Sequence, residues 1–301
     1  SAIVNLLQKA DYNNLILRSH KELDLIDQQA VKQFYKIEKP DYVFIAAARG
    51  GGIYANSTYR GQFLYENLMI QNNVVHSAHE SRVKKLLFLG SACIYPRNAK
   101  QPIKEEYLLT DTLEPTNEPY AIAKIAGIKL CESYYQQYGD NYISVMPNNL
   151  YGPNDNFNLK TSHVLPALIR KFHEAKVNKI ECVEVWGSGK PKREFLHVDD
   201  LADACLFLLN NMDANQLYRQ NISHINIGSG EEVPINELAL MIKDIVSYQG
   251  DIQFNSDYPD GMPRKLLDVS RITSMSWKSS IDLDTGIKTV YKWYLNNLQF
   301  D

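Results

Sequence analysis

Short apolar runs alternate with longer stretches of helical periodicity through the first half of the chain. Four runs have the length and composition of buried strands: 15–18, 42–46, 86–90 and 143–146. Three stretches between them place apolar residues at helical spacing: 28–37, 59–79 and 119–138. Apolar strands that alternate with helices predict a parallel sheet covered on both faces. We therefore predict an α/β fold, a Rossmann-like doubly wound parallel sheet.

The start of the chain departs from this pattern, because residues 2–7 repeat apolar side chains at helical intervals. A doubly wound sheet of this kind normally begins with a strand and a glycine-rich turn. We expect about fifteen to twenty further residues upstream, carrying a first strand and a glycine-rich loop that this sequence does not contain. An α/β fold that begins with a helix and binds no nucleotide is the alternative.

The pattern changes after residue 150 to shorter, mixed elements rich in Asn, Gly and Lys. We predict a first domain over 1–150 and a smaller α/β lobe, mainly for substrate binding, over 151–301. A strand at 183–185 and a helix at 198–210 are expected to return to the first domain, so that it includes residues near 183–211. Two further amphipathic helices, at 235–246 and 285–298, are predicted without a location.

Composition narrows the classes of function. The net charge of -3 gives no general attraction to phosphate backbones, so nucleic acid is not expected as a partner. Hydrophobic residues make up 45%, and no apolar run is long enough to span a membrane. The four cysteines lack Cys-x-x-Cys spacing, and no leader precedes the first helix, so we expect a reduced, cytoplasmic protein. No cluster of His, Asp and Glu has metal-ligand spacing, so no metal is expected.

Residue types that could carry chemistry cluster around one predicted helix and one strand end. Tyr120 and Lys124 are four positions apart on a helix and share a face. A fixed ammonium stabilises phenolate and makes a phenol, whose reference pKa is about 10, a usable acid. Ser91 and Cys93 follow the strand at 86–90, and ligands bind at strand ends of open parallel sheets. The alternatives are a surface Tyr–Lys pair and a cysteine that faces the core.

Longer motifs resemble the extended short-chain dehydrogenase/reductase family, and within it the branch of GDP-L-fucose synthases. The motifs are Cys-Ile-Tyr-Pro at 93–96, Glu-Pro-Thr-Asn-Glu-Pro-Tyr at 114–120, Pro-Asn-Asn-Leu-Tyr-Gly-Pro at 147–153, Ser-His-Val at 162–164 and Arg-Glu-Phe-Leu-His-Val-Asp-Asp at 193–200. The resemblance covers essentially the whole chain. It implies a catalytic set in which Ser91, Tyr120 and Lys124 serve reduction, Cys93 is a base and His163 an acid. Without the resemblance, His163 is better explained as a helix N-terminal residue bonded to backbone.

The resemblance also implies two sets of binding residues. Arg18 ends the run at 15–18, which is the second strand of the expected fold once the upstream strand is counted. An arginine there accommodates a 2′-phosphate, so NADP(H) is the expected cofactor. The expected cofactor contacts are Arg18, Asp24, Leu25, Ala47, Ala48, Tyr120, Lys124, Asn149 and His163. The expected substrate contacts are Ser91, Asn149, Lys171, Trp186, Arg193 and Lys265. Lys171 stands where relatives often have arginine, which replaces a bidentate fork with a point charge.

The implied activity is an NADPH-dependent conversion of GDP-4-keto-6-deoxy-D-mannose to GDP-L-fucose. It proceeds by epimerisation at C3 and C5 and then by reduction at C4, and the resemblance suggests a homodimer. One alternative is a C4 reductase with reduced or no epimerase activity on a related GDP-4-keto-6-deoxy-hexose or heptose. An alternative of another class is a non-catalytic regulator that binds NADP(H).

Overall fold

The computed structural model describes residues 2–159, 161–258 and 260–297, apart from the side chains of Ile53 and Tyr54. The helices are α1 (Ala2–Lys9), α2 (Gln28–Glu38), α3 (Ile53–Thr58), α4 (Arg60–Glu80), α5 (Glu118–Tyr138), α6 (Val164–Val177), α7 (Val198–Asn211), α8 (Ala214–Tyr218), α9 (Ile235–Val246), α10 (Ser270–Ser274) and α11 (Leu283–Asn296). The strands are β1 (Tyr42–Ile45), β2 (Lys85–Leu89), β3 (Tyr142–Pro147), β4 (Asn149–Tyr151), β5 (Cys182–Trp186), β6 (Lys192–His197), β7 (Ile225–Ile227), β8 (Glu232–Pro234), β9 (Asp251–Asn255) and β10 (Arg264–Lys265). Short 3-10 turns cover Ala92–Ile94 and Glu105–Tyr107.

The main sheet is parallel, in the order β1-β2-β3-β7. Successive side chains of a strand point to opposite faces of the sheet, and helices cover both faces. Leu86 and Phe88 of β2 pack with helices α4 and α5, whereas Leu87 packs with α7 on the other face. The Rossmann-like α/β architecture predicted from the alternating pattern is thus confirmed. The predicted end of the last helix at residue 298 lies outside the described residues.

Two predicted strands are wrong in detail. Residues 15–18 form no strand, and the edge of β1 that faces away from β2 has no paired neighbour among the described strands. An apolar run becomes a strand only where another strand completes its hydrogen-bond ladder, which is not the case there. The strand at 183–185 pairs with β9 instead of returning to the main sheet. Its neighbour α7 does return, since it packs on the face that carries Leu87.

The second half of the chain supplies a separate hydrophobic cluster and two small sheets. β5 and β9 pack with α6, α9 and α11 around a core that includes Phe172, Leu238 and Val290. The other sheet has the order β10-β6-β4, with β8 paired to β6. None of the described helices is both long and apolar enough to cross a membrane.

The topology brings several segments to one edge of the main sheet. Residues 46–48 follow β1, residues 90–91 follow β2, and Asn148 follows β3. Because β1, β2 and β3 are parallel, their carboxyl ends lie at the same edge, where open α/β sheets bind ligands. The sheet of β10, β6 and β4 begins directly beyond this edge, since β4 starts at Asn149.

Candidate active site

A tight turn at the end of β2 carries Ser91 and Cys93. At Gly90 a Cβ atom would stand 1.9 Å from the Met146 Cε atom, so a larger residue there would force the Met146 side chain to move. Ser91 is extended, and its Oγ accepts a hydrogen bond from the backbone N–H of Cys93 at 3.5 Å. Cys93 is buried, and the serine hydroxyl therefore orients the turn that holds the thiol.

Helix α5 brings Tyr120 and Lys124 to the same strand end. The Lys124 ammonium donates to the Leu89 carbonyl at 2.8 Å, and its Nζ lies 5.8 Å from the centre of the Tyr120 ring. Lys124 is only 3% exposed, and this burial lowers its pKa to about 8, although the nearby Cys93 favours its charged form. Burial raises the pKa of Tyr120, and the Cys93 charge raises it further. The four predicted groups at this strand end therefore do lie together.

The electrostatic surroundings of Cys93 combine opposing effects. Burial raises the pKa of the thiol, while Lys265, the Ser91 hydroxyl and Lys124 lower it, in that order. The two ammonium groups reach the sulfur from different parts of the chain, since Lys124 belongs to α5 and Lys265 to β10. Each favours the thiolate, which is the form that can remove a proton.

His163 stands at the N-terminal end of α6, where its side chain caps no backbone group. The preceding loop is held against the N-terminal end of α3, because the Gly52 backbone N–H donates to the Thr161 carbonyl at 3.2 Å. Desolvation lowers the pKa of His163, and the charge of Lys265 lowers it further. Lys265 thus acts electrostatically on both His163 and Cys93, which places these groups around one lysine.

The remaining predicted substrate contacts form two neighbouring groups. In the small sheet, Asn149 pairs with Phe195, and Lys265 pairs with Arg193. In the second lobe, the Lys171 Nζ lies 4.8 Å from the centre of the Trp186 ring. Asp260 connects the groups: its carbonyl accepts from Arg193 at 3.3 Å, and its carboxylate accepts from Ser188, two residues beyond Trp186.

The predicted cofactor contacts lie in two places: Ala47 and Ala48 follow β1 at the carboxyl edge of the main sheet, whereas Arg18 contacts the end of α2. Ala47 and Ala48 are exposed directly after the buried Ile45 at the end of β1, so a planar group can approach the backbone there. Arg18 pairs with Glu38 and lies over the Phe34 ring, with its guanidinium carbon 5.6 Å from the ring centre. Asp24 is exposed and Leu25 half-buried beside it. These small and cationic residues fit a nucleotide with a phosphate near Arg18.

Several residues at the site were not singled out from the sequence. Glu194 is fully buried behind Arg193, and Tyr258 stacks on Trp186 with ring centres 4.4 Å apart. The side-chain oxygens of Asn117 and Asn148 are buried without a hydrogen-bond partner within the described part of the chain. Glu194, Asn117 and Asn148 lie inside the longer motifs, which could have drawn attention to them. Tyr258 has no such signal.

Within residues 2–159, 161–258 and 260–297, no group of three or more His, Cys, Asp or Glu side chains is placed to hold a metal ion. The groups of the site that can transfer protons are a phenol, two ammonium groups, a thiol and an imidazole. Such a set suits proton transfer next to, and onto, a carbonyl oxygen.

Comparison with known proteins agrees with this chemistry. GDP-L-fucose synthase 1 of Arabidopsis thaliana is 56% identical over 298 residues, which are 99% of this chain and 90% of that protein. The GDP-L-fucose synthase of Escherichia coli (strain K12) is 52% identical over 301 residues, with 99% and 93% covered. The structure of a GDP-mannoheptose C4 reductase from Campylobacter jejuni with NADP bound is 48% identical, with a TM-score of 0.90 and coverage of 98% and 94%. Residues 1–228 match one family model, and the chain therefore belongs to the NAD dependent epimerase/dehydratase family.

Proposed function

We propose that this protein converts GDP-4-keto-6-deoxy-D-mannose to GDP-L-fucose in an NADPH-dependent reaction. The reaction comprises epimerisation at C3 and C5 followed by reduction of the C4 ketone. The single observation that carries the proposal is the common environment of Cys93 and His163, which share Lys265 as a charged neighbour beside the Tyr120–Lys124 pair. Relatives at 56% and 52% identity, named as GDP-L-fucose synthases, support the choice of substrate.

Epimerisation needs a base and an acid on opposite faces of the sugar. A ketone at C4 acidifies the C–H bonds at C3 and C5, so that removal of either proton gives an enolate. In the proposal the Cys93 thiolate takes the proton, and His163 returns one to the other face of the same carbon. Bonds to hydrogen break and form at one carbon, and no redox change accompanies the step. Lys265 stabilises the thiolate, because its charge lowers the pKa of Cys93.

Reduction uses a different part of the same cleft. NADPH, when bound, supplies the hydride for C4. Tyr120 gives its phenolic proton to the carbonyl oxygen, and Ser91 donates a hydrogen bond to that oxygen. Lys124 lies beside the Tyr120 ring, where its positive charge stabilises the developing phenolate. Burial raises the pKa of Tyr120, so that the phenol holds its proton until the oxyanion forms.

The cofactor and the sugar nucleotide are held by different groups of residues in this proposal. Arg18, Asp24, Leu25, Ala47 and Ala48 bind the adenosine half of NADPH, while Tyr120, Lys124, Asn149 and His163 contact its nicotinamide half. Lys171, Trp186, Arg193 and Lys265 contact the GDP moiety, with Ser91 and Asn149 at the sugar. Arg193 suits a phosphate, because a guanidinium binds phosphate oxygens bidentately.

The larger organisation completes the proposal. Residues 1–150, together with α7, bind the cofactor, and residues 151–301 mainly bind the substrate. We propose a homodimer, as the resemblance implies, and a location in the cytoplasm, as the spacing of the cysteines suggests. The cytoplasm keeps thiols reduced. This suits Cys93, whose thiol must remain unmodified to act as a base.

A second candidate is a C4 reductase that epimerises only partly or not at all, acting on a related GDP-4-keto-hexose or heptose. The C. jejuni C4 reductase, 48% identical to this chain, favours it. Incubation with GDP-4-keto-6-deoxy-D-mannose and NADPH in deuterated water separates the two. The main proposal expects GDP-L-fucose with deuterium at C3 and C5, whereas a reduced product without deuterium contradicts it.

A further inference from the structure

The carboxylate of Glu194 is completely buried and surrounded by hydrogen-bond donors. Its side chain is 0% exposed. One oxygen accepts from the Gly230 backbone N–H at 2.8 Å, and the other accepts from the Leu267 backbone N–H at 2.9 Å and from the Asn148 amide. All three partners donate, so the ionised carboxylate, which only accepts, is the form that fits. These hydrogen bonds oppose the rise in the pKa of Glu194 that its burial causes.

The three partners belong to segments that also carry predicted substrate contacts. Leu267 lies two residues after Lys265, and Asn148 precedes Asn149. The Asn148 amide also donates to the Lys265 carbonyl at 3.4 Å, and the Asn149 amide donates to the carbonyl of Glu194 at 2.8 Å. Glu194 therefore ties the strand that carries Lys265 to the junction between β3 and β4.

Space around the carboxylate is equally restricted. A Cβ atom built on Gly228 would stand 2.1 Å from the nearer carboxylate oxygen of Glu194. Glycine at this position is what allows the loop after β7 to approach Glu194 so closely. The position of the carboxylate is consequently fixed by packing as well as by hydrogen bonds.

Charge connects this buried carboxylate to the epimerisation pair. Glu194 and Cys93 both favour the charged form of Lys265, while burial and Arg193 oppose it. The same ammonium acts on Cys93 and on His163. A change in the position of Lys265 thus alters both groups at once, whereas the pKa values of Tyr120 and Lys124 are shifted by burial and by Cys93.

We propose that Glu194 is a positioning residue for epimerisation: its carboxylate fixes the strand that carries Lys265, the lysine whose charge acts on both the thiol of Cys93 and the imidazole of His163. The inference rests on the proposed function and adds to it, because it separates the requirements of the two half-reactions. Epimerisation depends on the placement of Lys265 by Glu194. The proton donor for reduction, Tyr120, and its neighbour Lys124 are held by α5 instead.

The test measures deuterium at C3 and C5 per molecule of reduced product, formed from GDP-4-keto-6-deoxy-D-mannose and NADPH in deuterated water. This ratio does not depend on how much of the enzyme is folded. For Glu194→Gln we expect it to fall about tenfold or more, the order of loss that small misplacements cause at reacting centres. Gly228→Ala displaces the same carboxylate without removing its charge, so it should also lower the ratio. This second variant tests the inference if Glu194→Gln does not fold.

Two matched variants control for general damage. Glu105→Gln removes another buried carboxylate, which accepts from the Asn226 backbone N–H and pairs with Arg271. Gly61→Ala adds a methyl group at a glycine with nothing within 4 Å of the new atom. Both should leave the ratio unchanged. Wild-type product without deuterium overturns the proposed function and this inference together; normal deuterium in wild type with an unchanged ratio in both Glu194→Gln and Gly228→Ala overturns the inference alone.

Discussion

At the scale of single residues, the site divides into groups for epimerisation and groups for reduction. The charge of Lys265 acts on both Cys93 and His163, whereas Lys124 lies beside the Tyr120 ring. The division has a physical basis, since a proton on carbon and a proton on oxygen are transferred at different positions of the sugar. Each half-reaction should therefore be removable without the other.

Replacing the two proton-transfer groups one at a time tests that division. Cys93→Ala should reduce deuterium incorporation at C3 and C5 by roughly 10²–10⁴-fold, the usual contribution of a general base. Tyr120→Phe should keep that incorporation and lose NADPH oxidation by a similar factor, because only the proton on the C4 oxygen is missing. Incorporation is measured by NMR and oxidation by absorbance. Equal losses of both activities in both variants would contradict two separate roles.

The pH dependence of epimerisation should depend on Lys265. Its charge lowers the pKa of Cys93 and also that of His163. Removing the charge in Lys265→Met should raise the pKa values of both Cys93 and His163. The rising and falling limbs of the pH profile for deuterium exchange should therefore move to higher pH. The rate is measured at saturating substrate from acid to alkaline pH, and the limbs belong to the coupled pair. Lys171→Met is the control, because the Lys171 ammonium shifts the pKa of neither Cys93 nor His163. A Lys265→Met profile whose limbs do not move would contradict the proposed effect of Lys265.

Some of these site residues could be predicted from the sequence and others could not. Tyr120 and Lys124 could be predicted because a four-residue helical spacing fixes their relative position. Ser91 and Cys93 could be predicted because they follow an apolar strand. The effect of Lys265 on both Cys93 and His163 could not be predicted, since the position of Lys265 depends on the pairing of β10 with β6, two strands far apart in the chain. Long-range pairings of this kind leave no local periodicity.

At the scale of elements, local pattern predicted helices better than strands. The predicted extents of α4 and α5 agree closely with their observed bounds. Strands need partners: residues 15–18 form no strand, and the strand predicted at 183–185 exists but pairs with β9 instead of joining the main sheet. β7, which completes the main sheet beside β3, is only three residues long and gave no recognisable pattern. Its apolar side chains, Ile225 and Ile227, are buried only because β3 lies next to them.

The close packing of α5 against the sheet predicts a stability effect at Gly127. A Cβ atom there would stand 2.4 Å from the Phe88 Cζ atom and 2.8 Å from the Gln71 side-chain oxygen. Gly127→Ala should therefore destabilise the protein by about 1–3 kcal/mol, the usual range for overpacking. Gly61→Ala, in open space on α4, should instead stabilise it by about 0.5–1 kcal/mol. Denaturant unfolding measures both, and a Gly127→Ala protein as stable as Gly61→Ala would refute the packing argument.

At the scale of the whole molecule, the candidate site combines residues from two unlike parts of the chain. The parallel sheet contributes the residues at its carboxyl edge, and the small sheet of β10, β6 and β4 contributes Lys265, Arg193 and Asn149. Strand–helix alternation was enough to predict the first part. The second part was predicted only as a region, because its short strands pair across large sequence distances. The expected binding residues of this second part came from the resemblance to the family, because periodicity could not identify them.

The outer surface of α4 and α5 predicts how two copies associate. These helices pack side by side, and each exposes a large apolar side chain: Tyr65 on α4 is 59% exposed and Ile122 on α5 is 43% exposed. Burial of such side chains in a homodimer would remove them from water. Sedimentation should give twice the chain mass of 34.5 kDa, and Tyr65→Glu combined with Ile122→Glu should shift the protein toward the single-chain mass. Leu240→Glu, at a side chain 52% exposed on α9, is the matched control and should sediment like the unaltered protein. A wild-type protein with the single-chain mass contradicts the dimer, and dissociation by Leu240→Glu alone would locate the interface on the second lobe.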